Sequence, residues 1–540
     1  MTAPTDTPTP PTPPDHVVGD QGAVFALLED PTTHGITDKV VRIDTHGAAV
    51  FLAGPFAYKV KRAVFFPFMD FSTLEKRRAA CEAEVAISGA GAPGLYLGVV
   101  PIVRTANGLA LDGAGEVVEF AVKMRRFDTG LTLDRVAERG GFTPGLAKAL
   151  AAAVVASHQA APVRRDFDTA GRLGAYLRDN IAEFAAQPEL FPSAEGAALA
   201  ALSEAALARI TGLVKVRSAA GFVRRCHGDL HLRNIVLLDG RPVLFDAIEF
   251  NDDIATCDVL YDLAFLLMDL WQRSLHAEAN AVFNRYLWAS ADDQIEGLAA
   301  LPFFLSLRAG IRAKVEAAGL RHLDGETRAQ ARARIGAEFA AALAFLDPAR
   351  ATPPAHGAEL PAPRSGQAAL WAVGGLSGSG KSTFATRVAH LCGTAPGAVI
   401  LRSDVERKRL FGVGETEKLP PEAYAPTVTE RVYARLRALA RRVLATGCSV
   451  IVDAVHAKPQ ERAAIEQVAA DAGIDFHGWW LEAPDAELIR RVEARTDDAS
   501  DADAAVVRRQ LAYDLGEIRW QRSPGLSTAP LAARPSDRHP

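Results

Sequence analysis

Cysteine is scarce in this chain of 540 residues. Its five thiols, Cys81, Cys226, Cys257, Cys392 and Cys448, are odd in number and scattered, and none forms a C-x-x-C pair. This excludes a disulfide framework and offers no zinc-finger ligand set, and it suits a reducing, cytoplasmic compartment. Long hydrophobic runs are missing as well: no uninterrupted apolar stretch reaches the roughly 18 residues needed to cross a bilayer. The N-terminus lacks the basic-then-apolar order of a secretory leader, so no membrane partner is expected. Nor is there an excess of one charge. Sixty Lys+Arg against 65 Asp+Glu leave -5, which argues against nonspecific attraction to a nucleic-acid backbone. What is there, 49% hydrophobic and 23% charged residues, is a globular composition on a chain too long for one ordinary core, so two or more domains are expected.

Residues 1–18 are rich in Pro and Thr and read as a tail without a core to join. A second proline-rich stretch, 351–367, reads as a semi-rigid linker, and 526–540 as a frayed tail. Between the first tail and the linker, residues 19–350 begin with short β-like runs (48–52, 58–60, 97–103, 117–124) around a helical stretch at 72–87, and turn mostly helical from Pro144. After the linker, residues 368–525 alternate buried apolar runs (368–373, 399–401, 450–452) with helical segments, the pattern of a parallel α/β sheet. The expected fold class is therefore multidomain, an α+β bilobal region followed by an α/β domain with a parallel sheet.

The first region carries Cys226-His227-Gly228-Asp229-Leu230-His231-Leu232-Arg233-Asn234, followed by an apolar strand and Leu244-Phe245-Asp246. One carboxylate that can accept a hydroxyl proton, and an amide oxygen and second carboxylate that can hold Mg²⁺ on ATP, are the parts that phosphoryl transfer by positioning and charge neutralisation requires. H-G-D-x-x-x-x-N also has the spacing of the protein-kinase catalytic loop. With Asp258-Val259-Leu260-Tyr261-Asp262 beyond it, the region resembles the aminoglycoside phosphotransferase family of the protein-kinase-like fold. The resemblance implies Asp229 as catalytic base, Asn234 and Asp246 as metal ligands, and His227 and Asp262 as scaffolding of the loop. A kinase-like site also needs a strand lysine paired with a helix carboxylate. Lys59 in Ala57-Tyr58-Lys59 fits best with Lys61 as its rival, and Glu84 or Glu82 is the partner. Met124 and Arg125 are candidates for the adenine-contacting hinge. Two features depart from the family pattern: Glu249 stands three residues after Asp246, and only the short turn at Gly54 and Pro55 precedes Lys59 where a glycine-rich loop is usual.

The second region carries Gly375-Leu376-Ser377-Gly378-Ser379-Gly380-Lys381-Ser382, which matches G-x-x-x-x-G-K-[ST] at every fixed position. It lies between an apolar strand and a helix that opens with Thr383. Glycines let backbone amides wrap phosphates at a helix N-terminus, Lys381 reaches the β- and γ-phosphates, and Ser382 ligates Mg²⁺. Asp404 and Asp453 each end a predicted parallel strand, where open α/β sheets place ligand-binding residues. Asp453 is a candidate Mg²⁺ carboxylate, holding the ion either directly or through its ligands, while Asp404 either acts on substrate or caps the helix that follows. Arg491 and Arg495, four apart on one helix face, either close over ATP or form a solvated face. The domain resembles P-loop kinases of the group that includes gluconate kinase, polynucleotide kinase and zeta-toxin kinases. By that resemblance, Asp404 activates a hydroxyl and Arg407 binds a phosphate or carboxylate of the acceptor. The acidic segment Asp497 to Val507 reads as a lid loop and helix start rather than as a metal site.

These signals together predict a bifunctional ATP- and Mg²⁺-dependent phosphotransferase acting on hydroxyls of a small molecule. The alternatives are a protein with one active and one nucleotide-sensing domain, and a kinase of nucleic-acid ends, which the overall acidity disfavours.

Overall fold

The computed structural model describes residues 16–66, 69–290, 294–350, 367–495 and 498–524. The expected C-terminal tail, all but three residues of the N-terminal one and all but the last residue of the linker lie outside the described residues. The chain forms two compact units, one of residues 1–167 with 220–262, the other of 168–219 with 263–540.

The first unit is built on a six-stranded antiparallel sheet. Its strands are Val41–Asp44 (β1), Ala48–Ala53 (β2), Phe56–Lys61 (β3), Tyr96–Thr105 (β4), Gly108–Leu111 (β5) and Glu116–Arg125 (β6), in the order β1-β2-β3-β6-β4-β5. The helix Gly22–Glu29 (α1) covers one face, where Val24 and Leu28 join Phe51, Val60 and Ile102 in the core. The helix Leu74–Gly91 (α2) packs against β4 and β6 on the other side. Thr73 starts α2 by accepting a hydrogen bond from the Lys76 N–H, which satisfies one of the helix's orphan donors. The buried positions of α2 (Arg77, Ala80, Cys81, Glu84 and Ser88) recur at three- and four-residue intervals, so a single face, charged residues included, is turned inward. A third helix, Pro144–Ala160 (α3), begins with Thr143 as its cap and proline in the first turn. Two short antiparallel ladders complete the unit. Ile235–Leu238 (β8) pairs with Arg241–Leu244 (β9) through the two-residue turn Asp239-Gly240, and Val223–Arg225 (β7) pairs with Thr256–Asp258 (β10). Both turn residues have positive φ, the geometry that matches the twist of a tight hairpin.

The second unit contains the helices Thr169–Ala186 (α4), Ser193–Ala220 (α5), most of Val259–Gln272 (α6), His276–Ala289 (α7), Leu301–Gly319 (α8) and Gly325–Leu346 (α9). Phe184, Phe191 and Phe339 meet with ring centroids 4.5–5.2 Å apart. The α5 helix is long and apolar enough by length and composition alone to cross a membrane, yet charged residues interrupt it, so the expectation that no uninterrupted apolar run of about 18 residues occurs holds. Its alanines permit charged residues to intersperse the apolar ones without ending the helix. Leu199, Ser203, Ala206, Ile210 and Val214 lie buried at helical spacing, as in a helix resting on a protein core.

The same unit holds a five-stranded parallel sheet. Its strands are Ala369–Gly374 (β11), Val399–Arg402 (β12), Val450–Asp453 (β13), Asp475–Glu482 (β14) and Gln521–Pro524 (β15), in the order β12-β13-β11-β14-β15. Every residue of β11 is buried, because helices cover both faces of such a sheet and alternation with polar residues disappears. Its edge, β12, is closed by α7. The Asn284 side chain accepts from the Ile400 N–H (2.7 Å) and donates to the Ala398 carbonyl (3.1 Å). Asn280 donates to the Pro396 and Ala398 carbonyls, and the Trp288 indole donates to the Ile400 carbonyl (3.0 Å). Residues 280, 284 and 288 share one helix face, so three side chains supply the hydrogen bonds a neighbouring strand would otherwise make.

Candidate active sites

In the first unit, β3 has a period of two and therefore turns Lys59 and Lys61 to the same face. Both reach the fully buried Glu84 of α2, Lys59 at 2.9 Å and Lys61 at 2.5 Å. Lys59 also pairs with Asp246, and Lys61 with Glu249. The rivalry between the two lysines is thus an arrangement of two parallel ion pairs on one glutamate, while Glu82 lies outside it, paired with Arg78. Burial by itself would strip Lys59 of its proton, yet Asp246 and Glu84 hold its pKa well above the ordinary lysine value. Burial would likewise raise Asp246, but Lys59 draws it below the usual carboxylate range.

Asp246 stands at φ +60° just beyond β9, and its N–H donates to the Tyr96 hydroxyl (3.0 Å). The loop after β7 brings Asp229 and Asn234 together. The Asn234 amide donates to the Asp229 carboxylate (2.9 Å) and carbonyl (3.0 Å), and the His231 ring lies 3.3 Å from the same carboxylate. The loop is held from behind by the fully buried Asp262, which accepts from the backbone N–H groups of His227 (3.3 Å) and Gly228 (2.9 Å). His227 faces the Phe245 carbonyl at 2.9 Å, and burial lowers its pKa despite the nearby Asp262. Asn234 and Asp246 offer hard oxygen atoms of the kind that suit Mg²⁺. Among the described residues the strand connections before Lys59 are short: β1 and β2 are joined by Thr45-His46-Gly47, and β2 and β3 by Gly54-Pro55. Met124 is buried at the end of β6, and Arg125 beside it is exposed.

In the second unit, the loop between β11 and the helix Lys381–Val388 (α10) needs its glycines. Gly378 has φ +88°, and a Cβ there would lie 2.4 Å from the Leu488 carbonyl oxygen. Gly375 has φ +137°, and Gly380, at φ +92°, leads into α10. The Ser377 N–H donates to the Gln510 side chain (2.8 Å), and the Ser379 hydroxyl is buried with no hydrogen-bond partner among the described residues. The Ser382 hydroxyl donates to the Asp453 carboxylate at 2.6 Å, which joins the start of α10 to the end of β13. Lys381 donates to the Leu376 carbonyl (3.0 Å), and burial pulls its pKa down to about 8, with Arg495 and Arg402 adding to the fall.

The loop faces a cavity of about 1430 Å³ that Lys381, Ser382, Thr383, Asp404, Arg407 and Asp453 all line, together with Arg491 and Arg495. Asp404 sits in the first turn of the helix Ser403–Phe411 (α11), which has no side-chain cap; burial raises its pKa, the direction that makes a carboxylate a better proton acceptor. Arg491, on the helix Asp485–Glu493, donates to the Gly378 carbonyl (3.4 Å) and pairs with Glu487 (2.6 Å). Several groups lining the cavity or beside it were not among the expected site residues. Arg402 spans Asp453 (3.4 Å) and Asp498 (2.9 Å). Asp501 receives Lys408 (2.9 Å), the Tyr424 hydroxyl (2.6 Å) and the Leu419 N–H (3.0 Å), so the described part of the acidic segment is fastened beside the cavity. Gln510 comes from the helix Ala504–Leu511. The order of Arg402 directly before Ser403-Asp404 was a visible signal; Asp498, Asp501 and Gln510 had none, since their partners lie 77 or more positions away.

Residues 72–304 match the model of the phosphotransferase enzyme family, and residues 370–514 match that of an AAA domain. Fold and sites therefore define a kinase-fold phosphotransferase region joined to a P-loop kinase-like domain with a parallel sheet. The chain belongs to one family with uncharacterised proteins of Mycobacterium tuberculosis and Mycobacterium bovis, with which it is 31% identical over 500 residues, 89% of this chain and 93% of theirs. Among solved structures it is similar to a choline/ethanolamine kinase family protein from Mesorhizobium loti, with 17% identity, a TM-score of 0.36, and coverage of 60% of this chain and 97% of that one. It is also similar to a gluconokinase from Sinorhizobium meliloti, with 20% identity, a TM-score of 0.21, and coverage of 30% and 85%.

Proposed function

We propose that this protein is a cytoplasmic, bifunctional phosphotransferase that moves the γ-phosphoryl group of ATP to hydroxyls of a small molecule, one transfer at each site. The observation that carries the reading is a single cavity lined by the phosphate-binding loop, the Ser382–Asp453 pair and Asp404. The acceptor oxygen forms a bond to Pγ as the bond from Pγ to the ADP oxygen breaks with its electron pair, and the hydroxyl proton passes to Asp404. Lys381, Arg491 and Arg495 supply positive charge around the transferred group. Ser382 and Asp453 would hold Mg²⁺, whose chemistry is to neutralise the β- and γ-phosphate oxygens. In the first unit Asp229 is the proton acceptor, with Asn234 and Asp246 as the metal-holding oxygens.

Mutations in the full-length chain test this. Asp404→Ala is expected to keep ATP binding and lose the transfer made at the P-loop site, and Lys381→Ala to lose productive binding there. Asp229→Ala in the Asp404→Ala background is expected to lower the remaining turnover by about 10² to 10⁴, the usual contribution of a positioned base. Labelled-phosphate transfer to a metabolite library reads the outcome; activity undiminished by Lys381→Ala and Asp404→Ala overturns the P-loop assignment. The short turns before Lys59 and the Lys59–Asp246 ion pair favour a second reading, in which the first site senses nucleotide without turnover. Under that reading Asp404→Ala alone abolishes transfer and Asp229→Ala changes nothing.

A further inference from the structure

The last turn of α7 is fastened to the two elements that lead into the P-loop cavity from one side, β12 and α11. The half-buried ring of Trp288 packs against the core cluster that contains Phe384, Ile400 and Ile451, and its indole N–H donates to the Ile400 carbonyl (3.0 Å). Two residues beyond Ile400, the guanidinium of Arg402 lies over the same ring, 5.9 Å from its centroid. Arg285, one turn back on α7, stands over that ring at 4.7 Å and pairs with Glu415 (2.7 Å). Arg409 of α11 donates to the carbonyls of Leu287 (2.9 Å) and Trp288 (2.6 Å), two of the carbonyls that the end of a helix leaves open. The helix so gripped, α11, is the one that carries Asp404 and Arg407.

Arg402 is 8% exposed and stands opposite Asp453 in the register of β12 and β13. Its guanidinium is shared between Asp453 (3.4 Å) and Asp498 (2.9 Å). Arg402 and the Ser382 hydroxyl both contact Oδ2 of Asp453, so together they set the rotation of that carboxylate. Asp453 and Asp498 line the cavity, whereas Arg402 and Trp288 are not among the described residues that do. A long arginine side chain holds a carboxylate only as firmly as it is itself held, and an aromatic face is a surface on which a guanidinium stacks. We propose that Trp288 is a positioning residue of the P-loop site: its ring fixes Arg402, and Arg402 orients Asp453 for Mg²⁺ on the nucleotide. A helix inside the match to the phosphotransferase enzyme family thus completes a site whose motif lies in 370–514. The inference rests on the phosphotransferase reading of that site and adds a residue from outside the P-loop match.

Calorimetry on the full-length chain, with Asp246→Ala to weaken the first site, measures AMP-PNP affinity with Mg²⁺ and with EDTA. Trp288→Leu is expected to cut the gain in affinity that Mg²⁺ gives by about tenfold, the lower end of what losing the partner of a metal ligand costs, and to leave the affinity in EDTA unchanged. Arg402→Gln should do the same, and the double variant should lose no more than Arg402→Gln alone. Trp288→Phe removes the bond to Ile400 but keeps the ring, so it should melt at a lower temperature and still retain most of the Mg²⁺ gain, a rescue that a merely structural role would not give. A second measurement needs no altered site: in the chain labelled with 5-fluorotryptophan, the Trp288 resonance, assigned by its loss in Trp288→Phe, should shift when Mg²⁺ joins bound AMP-PNP. The proposal is overturned if folded Trp288→Leu keeps the full Mg²⁺ gain, if Trp288→Phe loses as much as Trp288→Leu, or if the Trp288 resonance stays in place. Lys381→Ala is measured alongside. AMP-PNP affinity unchanged by it overturns the P-loop reading and this inference with it, whereas a loss there leaves the other outcomes to decide on Trp288 alone.

Discussion

Lys381 shows how a single residue carries the chemistry of its motif and also a cost. Burial lowers its pKa to about 8 in the nucleotide-free chain, from an ordinary value of 10.5. In the folded protein the proton is lost near pH 8, whereas in the unfolded chain it is kept to about 10.4. The penalty for burying the charge is thus fully present below pH 8, and stability recovers as pH rises from 8 towards 10.5. Triphosphate binding favours the protonated lysine, so above pH 8 it must draw a proton from solvent. ATP-analogue affinity at the P-loop is expected to fall by up to about tenfold per pH unit between 8 and 10. Calorimetry at several pH values in an Asp246→Ala background, which weakens the first site, checks this, and Lys381→Gln should flatten the profile. The motif made Lys381 legible in the sequence, but its burial was not. At Lys59 and Lys61 the limit was different. Both lie on one face of β3 and both reach Glu84, so pattern matching asked for a choice that the strand's period of two does not require.

Among the elements, α7 and β12 make the least expected pairing. The amide of Asn284 occupies the place of a strand's backbone, accepting from Ile400 and donating to Ala398. Asn284→Ala leaves the buried Ile400 N–H without an acceptor, so a loss of about 1–3 kcal/mol is expected, measurable by denaturant unfolding of the full chain. An Asn284→Ala variant as stable as the wild type would mean that water or a shifted helix takes over the bonds. Nothing local marks Asn280, Asn284 or Trp288 as edge partners. Their spacing of four states only that they share a helix face, and the strand they serve lies more than 110 positions away.

At the scale of the whole molecule, this contact joins residues within the two family-model matches, since α7 falls inside 72–304 and β12 inside 370–514. Arg442 adds paired bonds to Glu296 at 2.7 and 2.8 Å, and Arg409 donates to the Leu287 and Trp288 carbonyls. A protease site placed within 351–366 should therefore yield two fragments that still co-elute in size-exclusion chromatography under native conditions. The double variant Asn280→Ala/Asn284→Ala should loosen them. Fragments that separate at once after cleavage of the wild-type chain would show that the contact is too weak to hold the two parts together.

The sequence by itself determined the two phosphate-handling constellations and their order. G-x-x-x-x-G-K-S and H-G-D-x-x-x-x-N are local, and each is set by the reach of a few successive residues around a phosphate or a hydroxyl. It also determined the alternation that builds the parallel sheet, because strands buried on both faces read as apolar runs. Only the tertiary structure decided that Lys59 and Lys61 share Glu84, that Arg402 and Asp498 meet, that Arg437 lines the cavity of the phosphate-binding loop, and that α7 closes the edge of β12. These are contacts between residues far apart in the chain. Which of many exposed or half-buried polar groups come together depends on packing that no local pattern encodes.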